Sequence, residues 1–162
     1  MVTTGGFKAL FLIQEEVSLT LPSLEVIDAI TIGKIATEIA SARKLPIAIE
    51  VRISDWIVYH ASLPGSSKEN QSWIDRKARV VILKRHSTLF ERVYSEELGL
   101  NWYQENNLSE ELYAIHGGGL PLVTKGNEFK GTLLISGLPQ IEDHQFGVEV
   151  LKTYLGIGGE TQ

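Results

Sequence analysis

Two β-hairpin signatures, far apart in the chain and separated by helix-forming sequence, constrain this protein more than any other feature. Residues 47–53 (Ile-Ala-Ile-Glu-Val-Arg-Ile) alternate with the two-residue period of a strand. Ser54-Asp55 supplies turn chemistry, and 56–62 is a second β-rich run. The pattern returns at 120–125 and 129–136, with Gly126-Asn127 as the turn between them. Hairpins pair antiparallel, and a doubly wound parallel sheet would need a regular β-α-β alternation that is absent. The expected fold class is α+β, a mainly antiparallel sheet flanked by helices.

The helices follow from periodicity and end signals. Residues 7–16 read as a short helix, and 17–21 (Val-Ser-Leu-Thr-Leu) alternate as a half-buried strand. Ser23 is the expected N-cap of a helix with Glu25 in its first turn and Ile27, Ile35 and Ile39 near one face. That helix must stop before Leu45-Pro46. Further helices are expected at 70–84 and 88–98, with 99–110 irregular. A last helix at 139–155 carries Ile141, His144, Val148, Leu151 and Leu155 as a core-facing stripe, with Gly156 as C-cap. The ends, Met1–Gly6 and Gly156–Gln162, read as frayed.

Length and composition narrow the function classes. A chain of 162 residues fits one domain. The net charge of -5 argues against a nucleic-acid partner, which would need clustered Lys and Arg. The densest basic stretch, Arg76, Lys77 and Arg79 followed by Lys84 and Arg85, reads as a solvated helix face. There is no cysteine, so disulfides, thiolate catalysis and zinc-thiolate sites are excluded. No secretory leader pattern is read at residues 7–13, and no apolar run approaches a membrane span. A reducing cytoplasm is the expected compartment, with no membrane partner.

Four constellations could carry chemistry. His116-Gly117-Gly118-Gly119 would let a backbone come close to a ligand, or to another part of the chain. Glu142-Asp143-His144 opens the last helix, where carboxylates already suit the helix dipole. Asn70, Trp73, Arg76 and Lys77 share a helix, with Trp73 and Lys77 on one face, where they could cradle an anion or simply pack. His86 follows the basic stretch. Ser66-Ser67 lacks a nucleophile-elbow context. No two histidines stand at i, i+4 spacing for a metal site, and His60 has no obvious partner.

Three stretches together resemble the UPF0303 group, which is placed with haem-degrading-domain and GlcG-like proteins. They are Leu63-Pro64-Gly65-Ser66-Ser67 with Asn70, Trp73-Ile74 and Arg76-Lys77; Tyr113-Ala114-Ile115-His116-Gly117-Gly118; and Ser136-Gly137-Leu138-Pro139-Gln140-Ile141-Glu142-Asp143-His144. The resemblance spans about residues 15–155 and implies a profilin-like fold, a homo-oligomer and a distant link to haem binding. Arg85 departs from the group's pattern by standing where a glycine is usual. No catalytic residues are implied. Three function classes stay open: a binding protein whose ligand is a small molecule, with haem a candidate by resemblance; a small-metabolite enzyme using His86, His116 or His144 as acid/base; and a self-associating interaction module.

Overall fold

The computed structural model describes residues 4–158; part of each end read as frayed lies outside these residues. The two hairpins form as expected. β1 (Ala48–Ile53) pairs with β2 (Trp56–Ser62), and β3 (Gly119–Thr124) pairs with β4 (Glu128–Ser136). β1 and β4 join them antiparallel, giving one four-stranded sheet in the order β2-β1-β4-β3.

The sheet is covered on both faces, so β1 up to Arg52 and β4 from Gly131 onward are buried. Ile49 and Val51 of β1, with Leu133 and Ile135 of β4, face the main core beneath α2 (Val26–Ala42) and α6 (Gln140–Leu155). Ala48 and Leu134 face the other way, against Ile74 and Ala78 of α3 (Lys68–Lys84). Ser67 and Asn70 form a capping box at the start of α3. α1 (Ala9–Ser18) packs on α4 (Thr88–Glu97) through Leu12, Leu89 and Val93. A short α5 (Trp102–Asn106) lies within the stretch expected to be irregular.

Three sequence expectations are corrected. Val17 and Ser18 continue α1, and only Leu21 of the expected strand pairs, through one parallel bridge to Thr124. The N-cap of α2 is Glu25 rather than Ser23, because Glu25 and Asp28 close a capping box. Ile27 is 65% exposed; the buried face of α2 is Ala29, Ile32, Gly33, Ala36 and Ala40. Apart from Ile32, that face is made of small residues because the helix lies very close to the sheet. A Cβ on Gly33 would stand 2.2 Å from the Tyr59 ring.

Arg85 caps α3 in the left-handed region (φ 63°, ψ 28°), its N–H donating to Val81 O at 2.6 Å. The backbone keeps the conformation that a glycine adopts freely, and the arginine Cβ carries the strain. Arg85→Gly should therefore raise unfolding stability by about 1 kcal/mol. The expected signature in urea denaturation is a higher midpoint at an unchanged slope.

Candidate functional site

The three sequence motifs converge on one cleft of about 280 Å³. α3 contributes Asn70, Trp73 and Lys77, the loop before β3 contributes His116, and the β4–α6 junction contributes Ser136, Gly137, Leu138 and Asp143. Asn70 is held by the α3 cap, where its Oδ1 accepts from Ser67 N–H at 2.8 Å, and its Nδ2 donates to Ser136 Oγ at 3.1 Å. Trp73 meets the His116 ring edge-on at 4.7 Å, and the Arg76 guanidinium lies 4.3 Å from the Trp73 ring.

At the floor of the cleft is a buried ion pair. Lys77 is only 2% exposed, which overturns the reading of its helix face as uniformly solvated. Its Nζ donates to Ile135 O at 2.8 Å and to Asp143 Oδ2 at 3.3 Å. Asp143 also accepts from the amides of Gly137 (3.3 Å) and Leu138 (3.0 Å). Burial pushes the Asp143 carboxyl up to about 6, against the pull of Lys77 and the two amides. The same burial pushes the Lys77 ammonium down, against the pull of Asp143. Burial, aided by the cations Arg92, Lys77 and Arg76, pushes His116 down to about 4, so its imidazole is neutral at neutral pH. Its Nδ1 is buried without a hydrogen-bond partner.

The wall carrying His116 is held by arginines. Segment 108–118 has no strand or helix of its own, and its carbonyls find guanidinium donors instead. Arg76 donates to Glu110 O, Arg79 to Leu112 O at 2.9 Å and Arg92 to Ile115 O at 2.9 Å. The glycines serve close packing within the chain. A Cβ on Gly117 would sit 2.3 Å from Gln140 O, and one on Gly118 (φ 125°) 2.4 Å from Ile135 O and 2.7 Å from Lys77 Nζ. The amides of Gly117 and Gly119 are taken by Gln140 Oε1 and Thr88 Oγ1.

The remaining candidates lie elsewhere. Glu142 is exposed. His144 is buried but does not line the cleft, its Nε2 2.8 Å from Glu15 Oε1 of α1. His86 binds Glu16 of α1 through Nδ1 at 2.9 Å. His60 does have partners: its Nδ1 meets Glu50 Oε1 and its Nε2 meets Ser62 Oγ, both at 2.9 Å. Glu50, 1% exposed, also binds Arg52, which reaches Asp75 on α3. Sequence reasoning missed this network and Ser136. The available signal was Glu50 and Arg52 standing in phase on a strand otherwise apolar.

A four-stranded antiparallel sheet with helices on both faces, and a polar cleft at the edge of one layer, defines an α+β sandwich known from solved structures. The Ybr137w protein superposes with a TM-score of 0.84 at 22% identity, over 96% of this chain and 91% of that one. A PduOC:heme complex superposes at 0.64 with 16% identity, over 79% and 94%. The chain belongs to the "Haem degrading protein HbpS-like" family, whose model matches residues 24–152. Among its relatives are UPF0303 proteins of Streptomyces avermitilis, 37% identical over 87% of this chain and 86% of the relative, and of Rhizobium leguminosarum, 34% identical over 88% and 86%.

The family name raises haem as a ligand. The cleft supplies a neutral imidazole and nearby cations, but it is too small to enclose a macrocycle, and the free Nδ1 of His116 is buried. Its residues fit a carboxylate, not the porphyrin ring.

Two of the shifted groups, His116 and Asp143, oppose each other in pH dependence. The contribution of His116, whose pKa is depressed, is present above its usual value near 6.5 and is lost as pH falls through about 4. The contribution of Asp143, whose pKa is raised, is present below its usual value near 3.8 and is lost as pH rises through about 6. Replacing His116 by Gln removes the first and leaves the second. The stability advantage of wild type over His116→Gln should grow between about pH 4 and 6.5 and then level off. Urea denaturation of both proteins across that range measures it.

Proposed function

We propose that the protein binds a small carboxylate-bearing molecule in the cleft. The observation that carries this is electrostatic. A chain with net charge -5 gathers Arg76, Lys77 and Arg92 about His116, and among the described residues Asp143 is the one acidic residue lining the cleft. Such a site favours an anion, with Asn70 and Ser136 as hydrogen-bonding groups and the Trp73 face as an apolar wall. Haem falls in this chemical class through its propionates, one of which would enter the cleft while the ring stayed outside. A binding role is favoured over catalysis because Lys77 and Asp143 already satisfy each other.

Acetate and succinate are suitable probes. At tens of millimolar they should raise the Tm of the wild-type protein above that in chloride of equal ionic strength, as a ligand specific to the folded state does. Arg76→Met with His116→Gln should lose most of that rise. Equal shifts in both proteins, or none in wild type, would sink the carboxylate reading.

A second reading, self-association, rests on β2. It is an edge strand, and it leaves Trp56 60% and Ile57 46% exposed. An apolar edge of this kind is a pairing surface unless something covers it. Light scattering should show a homo-oligomer that Trp56→Lys reduces in mass; an unchanged mass would remove β2 from the contact.

A further inference from the structure

Outside the cleft, the β1–β2 hairpin lines up a carboxylate, an imidazole and a hydroxyl on one face of the sheet. His60 stands opposite Glu50 in the pairing register, and Ser62 follows His60 by two residues. The two-residue period of a strand therefore points His60 and Ser62 to the same face. Glu50 Oε1 lies 2.9 Å from His60 Nδ1, and His60 Nε2 lies 2.9 Å from Ser62 Oγ.

The donors fix the direction of this relay. The Glu50 side chain is 1% exposed, and it accepts from Arg52 Nε at 2.6 Å and from Gln71 Nε2 at 3.2 Å. An ion-paired carboxylate only accepts, so His60 Nδ1 carries the ring proton. The neutral ring then has its lone pair on Nε2, and the Ser62 hydroxyl donates to it. Hydroxyl on Nε2 and carboxylate on Nδ1 is the order of a nucleophilic triad. Ser62 is exposed and the His60 side chain is 33% exposed, so a reactant can reach both. β2 is also an edge strand. The Leu63 amide turns inward to Ile47 O at 3.0 Å, so the Ser62 amide, one residue earlier, turns outward along the open edge. There it can donate to an oxygen beside Oγ, as a nucleophile's own amide does in an oxyanion hole.

We propose that Ser62, His60 and Glu50 form an acyl-transfer site that cleaves small carboxylic esters. Ser62 Oγ attacks the acyl carbon, and its proton passes to His60 Nε2. The bond from the acyl carbon to the leaving oxygen then breaks, and that oxygen departs with the proton. Water gives a proton to His60 and attacks the acyl-serine; the carboxylic acid leaves and Ser62 regains its proton. A single outward amide suits an ester of an acidic alcohol, whose leaving oxygen needs little help, rather than an amide. Glu50 touches no reactant; it is a positioning residue that holds the tautomer of His60. The site shares no residue with the carboxylate cleft and does not depend on it.

Two probes test this on the full chain. p-Nitrophenyl acetate should be turned over, and an alkyl fluorophosphonate, which loses fluoride to give an adduct stable to water, should label Ser62 at one group per chain by peptide mass mapping. Ser62→Ala should lose both reactions. His60→Gln should slow both by at least about a hundredfold, the range of a positioned general base. In Glu50→Gln the new side chain keeps its oxygen on Arg52 and turns its NH2 group to His60 Nδ1, so the ring proton moves to Nε2. Nitrogen NMR shifts of the His60 ring should report that change, and labelling should be lost with it. A merely structural role for Glu50 would leave the tautomer in place. Should Glu50→Gln fail to fold, the exposed positions Ser62 and His60 still decide the matter. No labelling of folded wild type, label on other side chains alone, or wild-type rates in Ser62→Ala or His60→Gln would overturn the proposal.

Discussion

The buried pair of Lys77 and Asp143 is the interaction on which the cleft depends. Taking two charges out of water costs several kcal/mol each, and their attraction offsets this only when their remaining hydrogen-bonding capacity is met. Here it is met by backbone: Ile135 O on one side, the Gly137 and Leu138 amides on the other. The pair thus ties the middle of α3 to the end of β4 and the first turn of α6. The glycine loop packs directly on it, since a side chain at Gly118 would collide with Ile135 O and with the ammonium. Its contribution is position more than stability.

Much of this arrangement was legible in the sequence. Alternation and turn chemistry located all four strands, because a hairpin's register is a local property. The three motif stretches that carry the family resemblance meet in space. Lys77 shows where local reasoning stops. Its neighbours in sequence are charged, and nothing in a one-dimensional pattern tells that α3 turns this one inward onto a carboxylate sixty-six residues away. The face of α2 was misjudged for a related reason. Ile27 is exposed and Ile35 and Ile39 pack only partly against the core, whereas the sheet's proximity sets Ala29, Gly33, Ala36 and Ala40 beside Ile32 on the buried face. Arg76 and Arg79 looked like solvated charge because their acceptors are carbonyls of a distant segment without regular structure.

α3 organises both halves of the molecule. Its first three turns present Asn70, Trp73 and Lys77 to a small polar space, and its left-handed exit at Arg85 delivers His86 to a larger apolar one. The two spaces differ in the chemistry they can hold. In one, burial keeps an imidazole neutral; in the other, the Glu16 carboxylate hydrogen-bonded to His86 holds its imidazole above the usual value.

The attachment of α1 has a consequence for how the chain comes apart. Adjacent glutamates, Glu15 and Glu16, reach His144 on α6 and His86 beyond α3, and Glu97 accepts the Ala9 amide. The apolar contact beneath is small, a few side chains around Leu12 and Leu89. A ten-residue helix fastened by so few points detaches as a unit at far less free energy than the sheet requires to unfold. The stretch after α1 is pinned separately, with Leu19, Leu21 and Leu24 in the main core and Leu21 bridged to Thr124, so detachment of α1 would bare the chain ahead of Leu19 and leave the four strands and α2 to α6 in place.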